Sequence, residues 1–344
     1  MTERLYILED ADPQIFVGAN KANIVLLTNL YPKLRIVAHG NVVKVLGEMH
    51  ETDMMMYILD KLEKHCNKYN RLTEEDVIRL TRGESEKEES TTSKHHILYG
   101  VNGKAIAAKG RNQERLVEAF DRNDMVFAIG PAGSGKTFIA ISLAVRALKT
   151  RQVKRIILSR PAVEAGEKLG FLPGEMKDKL DPYLQPLYDA LGEMIPQAKL
   201  KDYIENGTIQ IAPLAYMRGR TLSDAVVILD EAQNTTLHQM KMFLTRLGQR
   251  GKMIITGDTT QIDLPRGVSS GLIRALKILE HTEGISTIQL NKSDIVRHPL
   301  VERIVAAYEA ARPREEGEEE EEEEEKTPTE TQTAERLETD RPLV

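Results

Sequence analysis

The eight residues Gly130-Pro131-Ala132-Gly133-Ser134-Gly135-Lys136-Thr137 constrain this chain more than any other stretch. They follow the apolar run MVFAI and precede the helix-prone FIAISLAVRAL, so the spacing G-x-x-x-x-G-K-[ST] falls at a strand-to-helix turn. Glycine lets the backbone come close to a polyphosphate and adopt dihedrals that other residues resist. The amides of such a loop, set at a helix N-terminus, wrap the phosphates. Lys136 is then expected to reach the β- and γ-phosphates, and Thr137 to ligate Mg²⁺. All eight residues are candidate nucleotide contacts, and a loop of this kind needs a buried sheet to carry it.

The surrounding sequence supplies one. Between residues 96 and 312, strand-like and helix-like segments alternate. Strand candidates are 125–129, 155–158, 208–211, 225–229, 252–256 and 286–290. Several are near-continuous β-branched runs, the pattern of strands buried on both faces of a parallel sheet. One intervening helix starts at Thr235/Thr236 and is expected to place Leu237, Met240, Leu244 and Leu247 on one face. The expected fold is an α/β three-layer sandwich. No internal repeat is present.

A phosphate loop serves kinases, GTPases and motors alike, so the later motifs must decide the chemistry. Val226-Val227-Ile228-Leu229-Asp230-Glu231 is an apolar strand ending in two carboxylates. At a strand's carboxyl end both can face the crevice. Asp230 is expected to hold Mg²⁺ and Glu231 to polarise the attacking water, which favours hydrolysis over transfer to a bound acceptor. Another apolar strand ends in Gly257-Asp258-Thr259-Thr260-Gln261, where the Gln261 amide is placed to sense the γ-phosphate. In Ser293-Asp294-Ile295-Val296-Arg297-His298-Pro299, Arg297 is a candidate for stabilising transition-state charge, from its own subunit or a neighbour's. The catalytic candidates are Lys136, Glu231, Gln261 and Arg297.

The flanks differ in composition. Residues 1–82 suggest a small α+β domain: an apolar helix, β-rich runs at 34–38 and 42–46 around His39-Gly40-Asn41, and a helix with Met55, Leu59, Leu62 and Cys66 on one face. This order is similar to a KH-type RNA-binding module, although the G-x-x-G loop of such modules is missing from the pattern. The small polar run 83–95 reads as a linker, and the Glu-rich tail 313–344 as a disordered segment that cannot bury a core. Net charge is −6 overall, but 315–344 hold 14 acidic and 3 basic side chains, which leaves the preceding 314 residues at +5. A mildly basic body permits an anionic partner. No apolar run is long enough to cross a bilayer, the opening MTERLYILEDADPQ lacks the pattern of a secretion signal, and the single cysteine suits a reducing compartment. A cytoplasmic location without a membrane is expected. No His or Cys spacing suggests a zinc site.

GPAGSGKT, VVILDEAQN, TGDTTQIDLP, SDIVRHPLV and the run from Ser159-Arg160-Pro161 to Leu172-Pro173-Gly174 occur in the order seen in PhoH-like proteins. The chain resembles that family over roughly 96–312, and the family's core is similar to the first RecA-like domain of superfamily-one helicases. The resemblance implies ATP and Mg²⁺ as cofactors, with Gln113 of Asn112-Gln113 hydrogen-bonding adenine. It also implies RNA as the substrate class and an RNA-processing endoribonuclease as a partner. There is room for only one RecA-like domain, so a homo-oligomer, a hexameric ring, is expected to complete the site. Arg160 and the segment 164–188, with Phe171, Tyr183 and Tyr188 available for stacking, are candidate RNA contacts, with subunit contact or packing of a long insertion as the equal alternative for the segment. Two readings compete with an RNA-linked ATPase: a nucleotide-gated adaptor with slow hydrolysis, and a P-loop phosphotransferase.

Overall fold

Alternate residues of each central strand feed two different cores. The computed structural model describes residues 1–83, 96–161, 176–265 and 267–295, with a few positions beyond 299. Six parallel strands, β6 (Met125–Ile129), β7 (Arg155–Arg160), β8 (Ile209–Pro213), β9 (Ala225–Leu229), β10 (Lys252–Gly257) and β11 (Ile285–Gln289), pair in the order β11-β6-β10-β9-β7-β8. Val126, Ala128, Ile156, Leu158, Val226 and Ile228 point into one core, built with α5 (Arg111–Arg122), α6 (Lys136–Lys149), α7 (Met176–Met194) and α8 (Gln197–Glu205). Met125, Phe127, Ile129, Ile157, Val227 and Leu229 point into the other, closed by α9 (Leu237–Leu244) and α10 (Gly271–Ile278). The period-2 alternation of strand side chains therefore yields the expected three layers.

Each of the six strand candidates is a strand of this sheet. The central β6 and β9 are buried at every position, and the edge strand β11 is largely exposed or half-buried. Four strands differ in their bounds: β7 runs on to Arg160, β8 is displaced to end at Pro213, β10 includes Gly257, and β11 spans Ile285–Gln289. The helix after Thr236 is present, with a capping box between Thr236 and Gln239, but its buried face is different. Met240 and Phe243 are buried, whereas Leu237, in the first turn, is 40% exposed. The helix ends at Leu244, so Leu247 lies beyond it.

The N-terminal part has its own core. The antiparallel sheet β1-β3-β2 combines β1 (Thr2–Ile7), β2 (Arg35–His39) and β3 (Val42–Gly47). The helices α1 (Pro13–Val17), α2 (Ala22–Leu30), α3 (Met49–Tyr69) and α4 (Glu74–Thr81) accompany it. Met55, Leu59, Leu62 and Cys66 line the buried side of α3 as expected. The strand β1 and the short hairpin β4 (His96–Tyr99) with β5 (Ala105–Ala107) are additions to the sequence reading.

The two cores meet at the far end of α6 from the phosphate loop. Asn70 donates to the carbonyls of Tyr99 and Met194 at 2.9 and 3.1 Å, and Arg151 pairs with Asp10 at 2.7 Å. Residues Met1–Ile295 form one compact unit. Among the described residues no helix is long and apolar enough to cross a membrane. The expected linker from Glu84, the tail, Arg297 and the run 162–175 lie outside the described residues.

Candidate functional site

The phosphate loop occupies the turn from β6 to α6, at the carboxyl edge of the sheet. Gly130 leaves β6 alongside Leu290, and a Cβ there would come 2.6 Å from the Leu290 carbonyl. Gly135 has φ +82° and caps α6, the conformation that glycine adopts at least cost. Lys136 opens the helix and is buried. Its Nζ donates to the carbonyls of Gly130 and Pro131 at 2.7 and 2.8 Å, so the ammonium is folded onto its own loop. Burial pushes its pKa down, and the carboxylates of Asp258, Glu231 and Asp230 act against that shift.

Opposite the loop, β9 delivers Asp230 and Glu231. The Asp230 amide donates to the Ser159 carbonyl at 2.9 Å, which carries the extended chain one residue past the strand. One carboxylate oxygen, Oδ1, accepts from both Thr137 Oγ1 and Thr256 Oγ1, each at 2.6 Å. Glu231 then turns into the left-handed region, with φ 53°. A non-glycine residue held there costs of order 1–3 kcal/mol, a strain that gathers at functional sites. Its carboxylate is gripped on both oxygens: Gln233 Nε2 donates to Oε2 at 2.6 Å, and Arg160 Nη2 lies 3.4 Å from Oε1.

Three contributors had no assigned role in the sequence reading. Thr256, fully buried near the end of β10, fixes Asp230. Gln233 links Glu231 to β10, because its Oε1 accepts from the Asp258 amide at 3.0 Å. Asp258 accepts from the Ala132 amide of the phosphate loop at 3.1 Å and from the Thr260 hydroxyl at 2.7 Å. Asp258 is itself a carboxylate at a strand end, and Thr256 and Gln233 each stand two positions from one.

Other candidates sit differently from expectation. Gln113 is 4% exposed, and both ends of its amide are committed to protein: Oε1 accepts from the Lys109 amide at 2.9 Å, and Nε2 donates to the Ser134 carbonyl at 3.0 Å. It braces the phosphate loop from behind. Its neighbour Asn112 donates to Asp294 at 2.8 Å, which brings the start of the SDIVRHPLV motif to this corner. Gln261 is exposed, on a loop held by Asp258 and by the Asp263 amide donating to Asn234 Oδ1 at 2.8 Å. Tyr188, a candidate for base stacking or for packing, is half-buried against the sheet's core. A cavity of about 820 Å³ between α1 and α8, lined by Ile15, Pro196, Leu200 and Ile204 among others, contains none of the motif residues.

The sequence model of the PhoH-like protein family matches residues 105–309. This chain belongs to that family. A PhoH-like protein of Bacillus subtilis (strain 168) is 48% identical over 317 residues, which cover 90% of this chain and 99% of that protein. Protein PhoH of Escherichia coli (strain K12) is 47% identical over 205 residues, 59% of this chain and 58% of that one. Among solved structures, the Pif1 helicase from Candida albicans aligns with 54% of this chain and 40% of that chain at 13% identity, but a TM-score of 0.28 is too low to argue from. As a member of the PhoH-like family the chain is a P-loop NTPase, and its phosphate loop is a nucleotide-binding site.

Proposed function

We propose that this PhoH-like protein hydrolyses ATP with Mg²⁺ and couples the hydrolysis to work on RNA. The observation that carries the hydrolytic reading is Glu231, a carboxylate one residue beyond Asp230 that is oriented by the Gln233 side-chain amide. In this reading the phosphates lie on the amides that follow Gly130, and Lys136 exchanges its loop carbonyls for phosphate oxygens. Thr137 and Asp230, already converging at 2.6 Å, offer a hydroxyl and a carboxylate, hard oxygen donors that fit Mg²⁺. The ion, when bound, neutralises charge on the β- and γ-phosphates. Glu231 accepts the proton of the attacking water as its oxygen bonds to the γ-phosphorus and ADP departs. Gln261, and Arg297 beyond the described residues, are assigned to sensing the γ-phosphate and to transition-state charge.

The RNA part of the proposal rests on resemblance to superfamily-one RecA-like cores, on the KH-like order of the N-terminal part, and on the net +5 charge outside the acidic tail. It extends to an endoribonuclease as partner, a hexameric ring that completes each site from a neighbour, and a cytoplasmic setting. The test is phosphate release from ATP with and without single-stranded RNA, on protein whose mass in solution is known. Release that RNA accelerates supports the proposal. Slow release indifferent to RNA favours the gated adaptor, and transfer of phosphate to an acceptor other than water sinks the hydrolase reading.

A further inference from the structure

The carboxyl ends of β7 and β8 adjoin the nucleotide site but carry none of its phosphate contacts. Arg160 ends β7 and stands in register with Pro213, the last residue of β8. From there the chain makes a 3-10 turn over Leu214–Met217. Its side chains divide sharply. Leu214 and Met217 are buried in the same core as Met240 and Phe243, which pins the turn. Tyr216, between them, is 61% exposed, and Arg218 next to the turn is exposed too. Packing does not account for an aromatic ring held outward on so rigid a support. A ring with guanidinium groups near it is what grips a single-stranded nucleic acid, since bases stack on the ring and phosphates pair with the cations.

Arg160 also reaches the nucleotide site. Its guanidinium lies 3.4 Å from Glu231 Oε1, and Gln233 occupies the other carboxylate oxygen. An attacking water must compete with these two partners for the carboxylate's lone pairs. We propose that single-stranded nucleic acid binds across Arg160, Tyr216 and Arg218, and that a backbone phosphate draws the Arg160 guanidinium from Glu231 and so releases the base. Arg160 is thus a positioning residue, acting through Glu231, and the pair is the coupling element between the two ligands. This rests on the RNA-coupled reading above and adds the contact surface and the way it speaks to hydrolysis.

The experiment uses the full chain, ATP with Mg²⁺, and a labelled oligouridylate of about 16 nucleotides, long enough to fill a typical single-strand site. Phosphate release and fluorescence anisotropy are measured for wild type, Arg160→Gln, Arg160→Lys and Tyr216→Ala. Arg160→Gln is expected to raise the RNA-free kcat by about tenfold and bring the ratio of RNA-stimulated to RNA-free kcat near one, with Arg160→Lys restoring part of that ratio. Tyr216→Ala is expected to raise the oligonucleotide concentration for half-maximal binding by about tenfold, the loss of one stacking platform. An RNA-free kcat for Arg160→Gln at or below wild type, or a stimulation ratio kept intact, overturns the proposal. So does Tyr216→Ala binding the oligonucleotide like wild type, or equal stimulation by polyglutamate, which would assign the surface to acidic proteins. If wild type itself neither binds nor responds, the RNA-coupled reading falls and this inference with it. If wild type responds and the variants match it, only the inference falls.

Discussion

Asp230 shows how much of the site rests on single atoms. Its Oδ1 accepts hydrogen bonds from Thr137 and Thr256 at once, so the carboxylate is fixed before any ion arrives. Thr256→Val keeps shape and volume but removes one donor. Partners behind a metal-binding carboxylate are commonly worth about 10–100-fold in metal affinity or activity. A titration of ATPase rate against Mg²⁺ should therefore shift by about tenfold for Thr256→Val, with ATP binding in the absence of Mg²⁺ unchanged; a curve superposable on wild type would remove Thr256 from the account. At this scale the legible residues were those with fixed spacing, namely the phosphate loop and the Asp230-Glu231 pair. Thr256 and Gln233 were not, because a hydroxyl in an apolar strand and an amide after a carboxylate pair have no spacing rule. Only the folded chain shows that Gln233 reaches both Glu231 and the Asp258 amide.

Elements were legible where burial is two-sided. The runs at 125–129 and 225–229 have no polar alternation because helices cover both faces of the sheet, and each is buried throughout. β1 escaped notice because Leu5 and Ile7 on it are exposed, 60% and 57%, and its acidic, basic and apolar residues follow no clean period. β4 and β5 span only four and three residues. The packing of β6 against the end of β11 gives a prediction. Gly130 passes so close to Leu290 that a Cβ would meet its carbonyl at 2.6 Å. Gly130→Ala must push the two strand ends apart, an overpacking that costs about 1–3 kcal/mol. Urea unfolding should show that loss, and a midpoint equal to wild type would mean the loop is far more pliant than its packing indicates.

For the whole molecule, the chemical core and the N-terminal core are joined through the last turn of α6, the helix that begins at Lys136. Lys149 is half-buried there, its Nζ facing the carbonyls of Asn67 and Tyr99. Burial, with the like charge of Lys199, pulls its pKa down to about 7 from 10.5. The folded protein therefore holds the amine neutral over a range in which the unfolded chain protonates it. Between pH 7 and the ordinary lysine value the unfolded state binds more protons, so stability rises with pH. Above 9.0 the ordinary Cys66 thiol ionises in the unfolded chain while burial holds the folded one up at about 12, which acts in the opposite sense. Wild type should thus gain about 2 kcal/mol more than Lys149→Met on going from pH 7 to pH 9. Parallel unfolding curves for the two proteins across that range would show that Lys149 stays charged at the junction. The account's central claim, a hydrolysing site whose base is Glu231, is tested most directly by ATP binding and single-turnover hydrolysis in Glu231→Gln. Binding within about twofold of wild type, with the cleavage rate down by about 10²-fold or more, is the predicted result. Cleavage at the wild-type rate would contradict it.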